Sequence, residues 1–139
     1  MSESAQRFAG LAVAEPTRLA ELAERILAAA HVELLSVPGP ATMLVELTES
    51  VGGQPFHLCE VVVCEASVSV DGCRGDAVVL GCDAERALAA AVCDAAAEAG
   101  RFRAEVEELV AYTHATTGHE RDARARARAA TRVDLEVLR

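Results

Sequence analysis

The sequence predicts a single α+β domain in which N-terminal helices precede an antiparallel β-meander and C-terminal helices pack on the sheet. Three patterns indicate this fold: helical periodicity over residues 16–30, strand alternation over residues 41–50 and 56–70, and an Ala-rich helical stripe over residues 83–99. No repeat or linker interrupts residues 1–139, and this length is that of one compact domain. We therefore expect one domain.

Two helices are predicted in the N-terminal part. Apolar residues that include Leu19, Leu22 and Ile26 recur at helical spacing, and Pro16 stands where proline is favoured, in the first helical turn. A weaker helical pattern covers residues 3–14. Pro16 separates the two helices, because proline disrupts a helix interior.

A turn and a first strand are predicted next. Short apolar runs over residues 31–37 end at Pro38-Gly39-Pro40, a combination typical of a turn. Met43, Val45 and Leu47 then alternate with more polar residues, which predicts a strand over residues 41–50.

Residues 56–70 form the longest predicted strand. The even-numbered positions, from Phe56 onward, are mostly apolar, yet Cys59, Val61 and Val63 make the opposite face apolar too. A second apolar face has to be covered, either by a helix or by another subunit. Asp71-Gly72 predicts a hairpin turn, and the returning strand is expected at residues 77–80.

The C-terminal part is predicted to be helical. Asp83 is positioned to cap an Ala-rich helix that stops at Gly100, and its small residues predict a close approach to the sheet. Two further helices are expected at residues 103–115 and 119–130, joined near Thr116-Thr117-Gly118. Residues 132–138 alternate in polarity and predict a short docking strand.

The composition argues against several classes of partner. The formal net charge of −9 repels phosphate backbones and anionic lipids, so we expect neither a nucleic acid nor a membrane as partner. The N-terminus lacks the basic start of a signal peptide, and no apolar run is long enough to span a bilayer, so we expect a cytoplasmic protein. Five Cys without a Cys-x-x-Cys pair suit reduced core residues.

One basic segment departs from the acidic composition. It contains Arg121, Arg124, Arg126, Arg128 and Arg132 and no aromatic residue. From sequence alone, a solvated helix face is favoured over an anion-binding strip.

No catalytic or metal site is predicted in this chain. His57, Cys59 and Cys64 are the strongest candidate ligands, but a closed site needs four, and His114 and His119 are five residues apart, off the helical spacing that brings two imidazoles together. A nucleophilic Cys59 beside His57 is disfavoured, because the neighbouring acidic residues would raise the thiol pKa. We expect no cofactor bound by this chain alone.

Glu60 is the one polar residue among the apolar even-numbered positions of the long strand. An unpaired buried carboxylate is costly, so Glu60 needs a partner. A Glu that reaches solvent or an Arg is favoured over a role at a subunit contact, and both alternatives stay open.

Several short motifs, taken in order, resemble the PhnG family, which provides the small G subunit of the bacterial carbon–phosphorus lyase core complex. They are Gly52-Gly53, Pro55-Phe56-His57-Leu58-Cys59-Glu60-Val61, Ala66-Ser67-Val68, Asp71-Gly72, Gly75, Gly81-Cys82-Asp83, the helix from Ala87 to Ala95, and Ala130-Thr131-Arg132-Val133-Asp134. His57 and Cys59 stand where the family tends to have Asn and Gly, and Cys82 where it tends to have Arg.

The resemblance implies a role in phosphonate breakdown. The family's complex joins methylphosphonate to the ribose of ATP and displaces adenine, before a radical step cuts the carbon–phosphorus bond. It also implies a scaffold subunit whose partners are the other core subunits, with Phe56, Glu60, Arg132 and Asp134 as partner-binding residues. The apolar strand further predicts a homodimer when the chain is isolated.

A different class of function stays open from the sequence. The loops at residues 52–57 and 81–83 are candidates for the lining of a pocket in a stand-alone, homo-oligomeric small-molecule binding protein.

Overall fold

A computed structural model describes residues 1–133 of the chain. Four helices surround one face of a three-stranded antiparallel sheet with strand order β1-β2-β3. The elements, in chain order, are α1 (Glu3–Ala12), α2 (Pro16–Ala29), β1 (Val32–Thr48), β2 (Pro55–Val70), β3 (Cys73–Leu80), α3 (Ala84–Glu98) and α4 (Arg103–Ala130). The predicted α+β class and the order of helices, meander and helices are confirmed.

The predicted helix starts are confirmed by their caps. Pro16 opens α2, where the Glu15 carboxylate accepts from the backbone N–H groups of Thr17 and Arg18. The Asp83 carboxylate accepts from the Arg86 N–H at 3.0 Å and caps α3. Each cap satisfies donors that the first helical turn leaves without an intrahelical partner.

The predicted turn at Pro38-Gly39-Pro40 is wrong, because β1 runs straight through it from Val32 to Thr48. The pairing of β1 with β2 instead shifts register on both sides of Ser36. Proline and bulges are tolerated on an edge strand, since the missing N–H faces away from the ladder. β3 is also longer than predicted and begins at Cys73.

α3 lies directly on the sheet at Gly75, as its small residues predict. A Cβ atom added to Gly75 would stand 2.2 Å from the Ala95 nitrogen and 2.5 Å from the Ala91 carbonyl oxygen. Only hydrogen fits between this strand and this helix. The middle of α3 is therefore almost wholly buried, from Ala90 to Ala97.

A buried ion pair ties α1 to α3 and to the sheet. The Arg7 Nε donates to the Asp94 carboxylate at 2.7 Å, and a second Arg7 nitrogen donates to Glu98. The other Asp94 oxygen accepts from the Asp76 backbone N–H on β3 at 3.2 Å. These contacts satisfy a guanidinium and a carboxylate that are both buried, and hydrogen bonds to Asp94 and Glu98 oppose the effect of burial and raise the pKa of Arg7.

α4 is a single helix of 28 residues, so the predicted break at Thr116-Thr117-Gly118 is wrong. The Thr113 and Thr116 hydroxyls donate to the carbonyls of Leu109 and Tyr112, one turn earlier, and the Ala- and Arg-rich sequence that follows has high helix propensity. Its first half packs on the other helices, whereas residues 119–130 are exposed. Within residues 1–133, no helix combines the length and apolarity needed to cross a membrane.

Candidate interaction surface

A two-stranded ribbon extends beyond the body of the domain. β3 ends where Leu80 pairs with Val63, but β1 and β2 continue to pair outward as far as Thr48 and Pro55. We call residues 41–63 the ribbon. Its strands reach about 25 Å past the third strand, at about 3.4 Å per residue. Two strands without a third are at best marginally stable in water, so contact with another surface would stabilise the ribbon.

A β-bulge at Leu58 makes one face of the ribbon continuously apolar. Cys59 pairs with Val45 but His57 pairs with Glu46, so Leu58 is left over. Phe56 then pairs with Leu47 and shares a face with Cys59, because directly opposed residues project the same way. We call this the apolar ribbon face; it consists of Ala41, Met43, Val45, Leu47, Phe56, Cys59, Val61 and Val63.

The opposite side, the mixed ribbon face, carries the polar residues. Its pairs are Thr42 with Val62, Leu44 with Glu60, Glu46 with His57, and Thr48 with Pro55. The prediction that Phe56 follows the even-numbered positions of β2 is therefore wrong, because the bulge reverses the alternation. Glu60 and Phe56 lie on different faces, and Glu60 is exposed.

Burial on the apolar ribbon face falls from its base to its tip. Val63 at the base is only 1% exposed, whereas Met43, Leu47 and Phe56 are 42–44% exposed. The part of each side chain that stays in contact with water gains no hydrophobic stabilisation. A row of such side chains on one face is typical of a protein–protein contact site.

The strands that form the ribbon and its base carry acidic charges and no basic ones. No Lys or Arg occurs between Arg25 and Arg74. β1 and β2 and their connecting turn contain Glu33, Glu46, Glu49, Glu60 and Glu65. The ribbon as a whole is therefore acidic, with Glu46 and Glu60 on the mixed ribbon face.

The ribbon also has an open backbone edge. Outside the end of β3, the last bond on that edge of β2 is from the Gly81 N–H to the Val62 carbonyl at 2.9 Å. Beyond Val62, no strand within residues 1–133 pairs with this edge of β2. Such an edge is able to accept a strand from another chain.

The candidate ligands His57 and Cys59 do not converge. His57 Nε2 lies 3.7 Å from the Glu46 carboxylate on the mixed ribbon face, whereas Cys59 lies on the apolar one. His114 and His119 are exposed on α4. Among residues 1–133, no group of three or more His, Cys, Asp and Glu side chains is arranged to hold a metal ion.

The buried thiols are poor nucleophiles. Burial raises the pKa of Cys93 to about 12, and the neighbouring Asp94 charge acts in the same direction. Burial also raises the pKa of Cys64, with a smaller effect from Cys82. Neither thiol ionises appreciably near neutral pH, and ionisation is what nucleophilic chemistry would require.

The remaining predicted contact residues are at the C-terminal end. Arg132 is exposed and follows the end of α4 at Thr131. Asp134 lies outside the described residues. The predicted docking strand at residues 132–138 also lies outside them, except for residues 132 and 133. Of the three predicted partner-binding residues that the structure describes, only Phe56 lies on the apolar ribbon face. The sequence prediction missed Met43 and Leu47 as its neighbours, although their strand alternation was the available signal.

Comparison with known proteins identifies a family that matches the chain. Residues 3–139 match the family described as phosphonate metabolism protein PhnG. The chain is also 38% identical over 109 residues to a protein of Rhizobium meliloti (strain 1021) named alpha-D-ribose 1-methylphosphonate 5-triphosphate synthase subunit PhnG. This similarity covers 76% of the present chain and 70% of that relative.

Proposed function

The chain belongs to the PhnG family of phosphonate metabolism proteins, and from this premise we propose that it is a cytoplasmic subunit of an α-D-ribose 1-methylphosphonate 5-triphosphate synthase. In this assembly it acts as an accessory subunit that supports the transfer of methylphosphonate to the ribose of ATP. It supplies docking surfaces to the other carbon–phosphorus lyase core subunits, and no cofactor or complete catalytic site. The observation that carries the proposal is the apolar ribbon face.

The ribbon has the composition of an interface centre. Phe56 and Met43 are of residue types enriched at protein interfaces, and Leu47 lies opposite Phe56. About 25 cal/mol is gained for each Å² of apolar surface removed from water, so covering this face favours association. A partner surface would also order the ribbon, because its contacts offset the conformational entropy that two otherwise unsupported strands lose on ordering.

Charge favours a different protein over a second copy as the occupant in the working assembly. The ribbon and its connecting turn carry Glu46, Glu49 and Glu60 without a Lys or Arg. A partner with an apolar centre and a rim of Lys or Arg would match both the apolar ribbon face and the acidic residues elsewhere on the ribbon. Two copies pairing through the same face would bring like charges together.

In the isolated chain the apolar ribbon face is exposed to water, so we propose that the chain forms a weak homodimer through that face. Salt screens like charges, and this homodimer should therefore tighten as ionic strength rises. The complex with a basic-rimmed partner should weaken with salt. The opposite salt responses separate the two assemblies.

Arg132 is proposed as a second contact with the larger partner. Its guanidinium has the planar geometry that binds a carboxylate through two parallel hydrogen bonds, and its position after α4 leaves it exposed. Glu60, on the mixed ribbon face, would then contact a basic residue of the partner's rim. Asp134 belongs to the same proposed docking segment as Arg132.

The alternative of a stand-alone small-molecule binding protein gains no support from the loops that suggested it. Gly81 bonds to Val62, six residues along β2 from Phe56, which corresponds to about 20 Å of strand. Residues 52–57 and 81–83 are exposed and do not enclose a shared pocket.

Coexpression with the other synthase subunits from the same genome tests the proposal. Met43 and Leu44 are adjacent and similarly exposed, at 43% and 51%, but project to opposite faces of the ribbon. Met43→Asp places a charge on the apolar ribbon face and should abolish copurification. Leu44→Asp is the matched control on the mixed ribbon face and should reduce copurification much less.

Circular dichroism and thermal unfolding of the two purified variants check that both remain folded. If the wild-type chain copurifies with none of the other subunits, the proposed function is wrong. If Met43→Asp and Leu44→Asp copurify equally well, the chain docks through another surface.

A further inference from the structure

The exposed second half of α4 carries an arginine row that continues the face by which its first half packs on the domain. Positions spaced three or four residues apart lie on one side of a helix. The row runs Val106, Val110, Thr113, Thr117, Arg121, Arg124 and Arg128. Its first three members are at most 8% exposed, Thr117 is half-buried, and its three arginines are exposed. The buried face of α4 thus becomes cationic where the helix leaves the body.

These three arginines are not neutralised by the part of the chain that the structure describes. None of them takes part in an ion pair within residues 1–133. Residues 119–133 contain five Arg and two acidic residues, whereas residues 1–118 contain seven Arg and 18 acidic residues. The charge of the molecule is therefore segregated, with a basic rod projecting from an acidic body.

Stabilisation of the helix end does not explain the whole row. Cations favour a helix C-terminus, but this effect falls off within the last turn. Arg128 lies in that turn, whereas Arg121 and Arg124 lie about two turns or more from Ala130. The position of Arg121 and Arg124 on the same face as Arg128 therefore has another cause.

We propose that Arg121, Arg124 and Arg128 bind an acidic surface of another subunit of the synthase, which fills the space beside α4 where the helix leaves the body. This inference rests on the proposed function and assigns a third contact, separate from the apolar ribbon face and from Arg132. The three arginines span about 10 Å along the helix, from seven residues at 1.5 Å each. That length suits a row of carboxylates on a protein better than one phosphate group. Arginine also forms planar, paired hydrogen bonds with carboxylates.

The helix offers its own control for a test. Arg126 lies two residues from Arg124 and from Arg128, about 200° around the helix, and it is exposed like them. Arg→Glu changes preserve helix propensity, so the rod should stay helical. We compare the triple variant R121E/R124E/R128E with R126E in the coexpressed synthase, and measure copurification at several salt concentrations.

The triple variant should bind the other subunits roughly tenfold or more weakly at 0.15 M salt, and R126E should bind within about twofold of wild type. The wild-type complex should also lose affinity with salt more steeply than the triple variant's complex. Circular dichroism should show equal helix content in all three chains.

Five outcomes overturn the inference. If the triple variant and R126E weaken assembly equally, the row has no special role, and if neither weakens it, the contact does not exist. If the triple variant assembles normally but the synthase loses activity that higher ATP concentrations restore, the row binds a small anion instead. If the triple variant only abolishes self-association of the isolated chain, the row binds a second copy of the chain.

Recovery of no subunit by the wild type refutes the proposed function and this inference together, whereas normal recovery of the subunits by the triple variant refutes this inference alone.

Discussion

The body of the domain and the ribbon use similar apolar residues in opposite ways. Leu19 in the body is 1% exposed, whereas Leu47 in the ribbon is 44% exposed. The same strand, β2, contributes Val68 to the core and Phe56 to the exposed face. β3 pairs with β2 only as far as Val63, so Val68 lies in the three-stranded part of the sheet and Phe56 lies beyond it. Apolar content alone therefore does not distinguish a core from an interface.

The ion pair at the centre of the body gives the largest expected effect. Arg7→Ala leaves the buried Asp94 carboxylate without its guanidinium and should lower the free energy of unfolding by about 3–5 kcal/mol. Urea unfolding measures this change. The exposed charge of the ribbon provides the contrast: Glu46→Ala, which removes the partner of an exposed His57, should cost less than about 1 kcal/mol. Equal losses would mean that Asp94 is not buried in solution.

One substitution made in both regions sharpens the comparison. Leu19→Ala removes a fully buried side chain and should lower the free energy of unfolding by about 2–5 kcal/mol. Leu47→Ala in the ribbon should lower it by less than about 0.5 kcal/mol, since surface changes are usually that small. Denaturant titration of the isolated chain at low concentration measures both values. A large loss for Leu47→Ala would show that the ribbon belongs to the core.

Two glycines test how closely the body is packed. Gly75→Ala forces α3 away from β3 and should cost about 1–3 kcal/mol. At Gly39 a Cβ atom would meet only the Val37 carbonyl oxygen, at an ordinary 3.8 Å. Gly39→Ala, where β1 enters the ribbon, should be close to neutral. Thermal unfolding of both variants measures these changes in stability. A Gly75→Ala variant as stable as the wild type would contradict the close approach of α3 and β3.

The helices were predictable because their signals are local. Leu19, Leu22 and Ile26 define the buried side of α2, and Asp83 and Gly100 bound α3 with a cap and a residue at φ +71°. These features depend on neighbours in sequence, which periodicity and capping describe well.

The errors occurred where tertiary structure overrides local preference. Pro38-Gly39-Pro40 is tolerated only because β1 is an edge strand, which the sequence does not state. Gly118 is tolerated within a long helix because good helix formers, mostly Ala and Arg, follow it from Glu120 onward. The bulge at Leu58 could not be predicted from the sequence. Phe56 and Leu58 are both apolar, so the alternation of apolar residues looks the same whichever of them lies on the apolar ribbon face.

Thiol labelling tests the same contrast between the body and the ribbon, with a smaller expected effect. In the native chain, iodoacetamide should modify the exposed Cys59 and Cys82 but not the buried Cys64 and Cys93. Cys59 lies on the apolar ribbon face and should become protected when the partner binds, while Cys82 stays reactive. Peptide mass spectrometry measures each site. Labelling of Cys59 that is unchanged in the complex would argue against contact at that face.

The raised thiol pKa of Cys93 also predicts a change with pH. Unfolded thiols ionise near their ordinary pKa of 9.0, whereas the folded Cys93 keeps its proton up to about pH 12. The unfolded state thus releases a proton first, and the free energy of unfolding should fall as pH rises from about 9 towards 12. Cys93→Ala should reduce this dependence on pH, and an unchanged slope would contradict the assignment.

Hydrogen–deuterium exchange of the isolated chain and of the coexpressed complex tests the central claim, that the ribbon is completed by a partner. In the isolated chain at low concentration, amides of residues 41–48 and 55–62 should exchange within seconds, while those of α3 and β3 stay protected. In the complex, the ribbon amides should become protected by roughly a hundredfold or more, as expected when local opening costs about 3 kcal/mol more. Ribbon amides that exchange equally fast in the chain alone and in the complex would contradict the account.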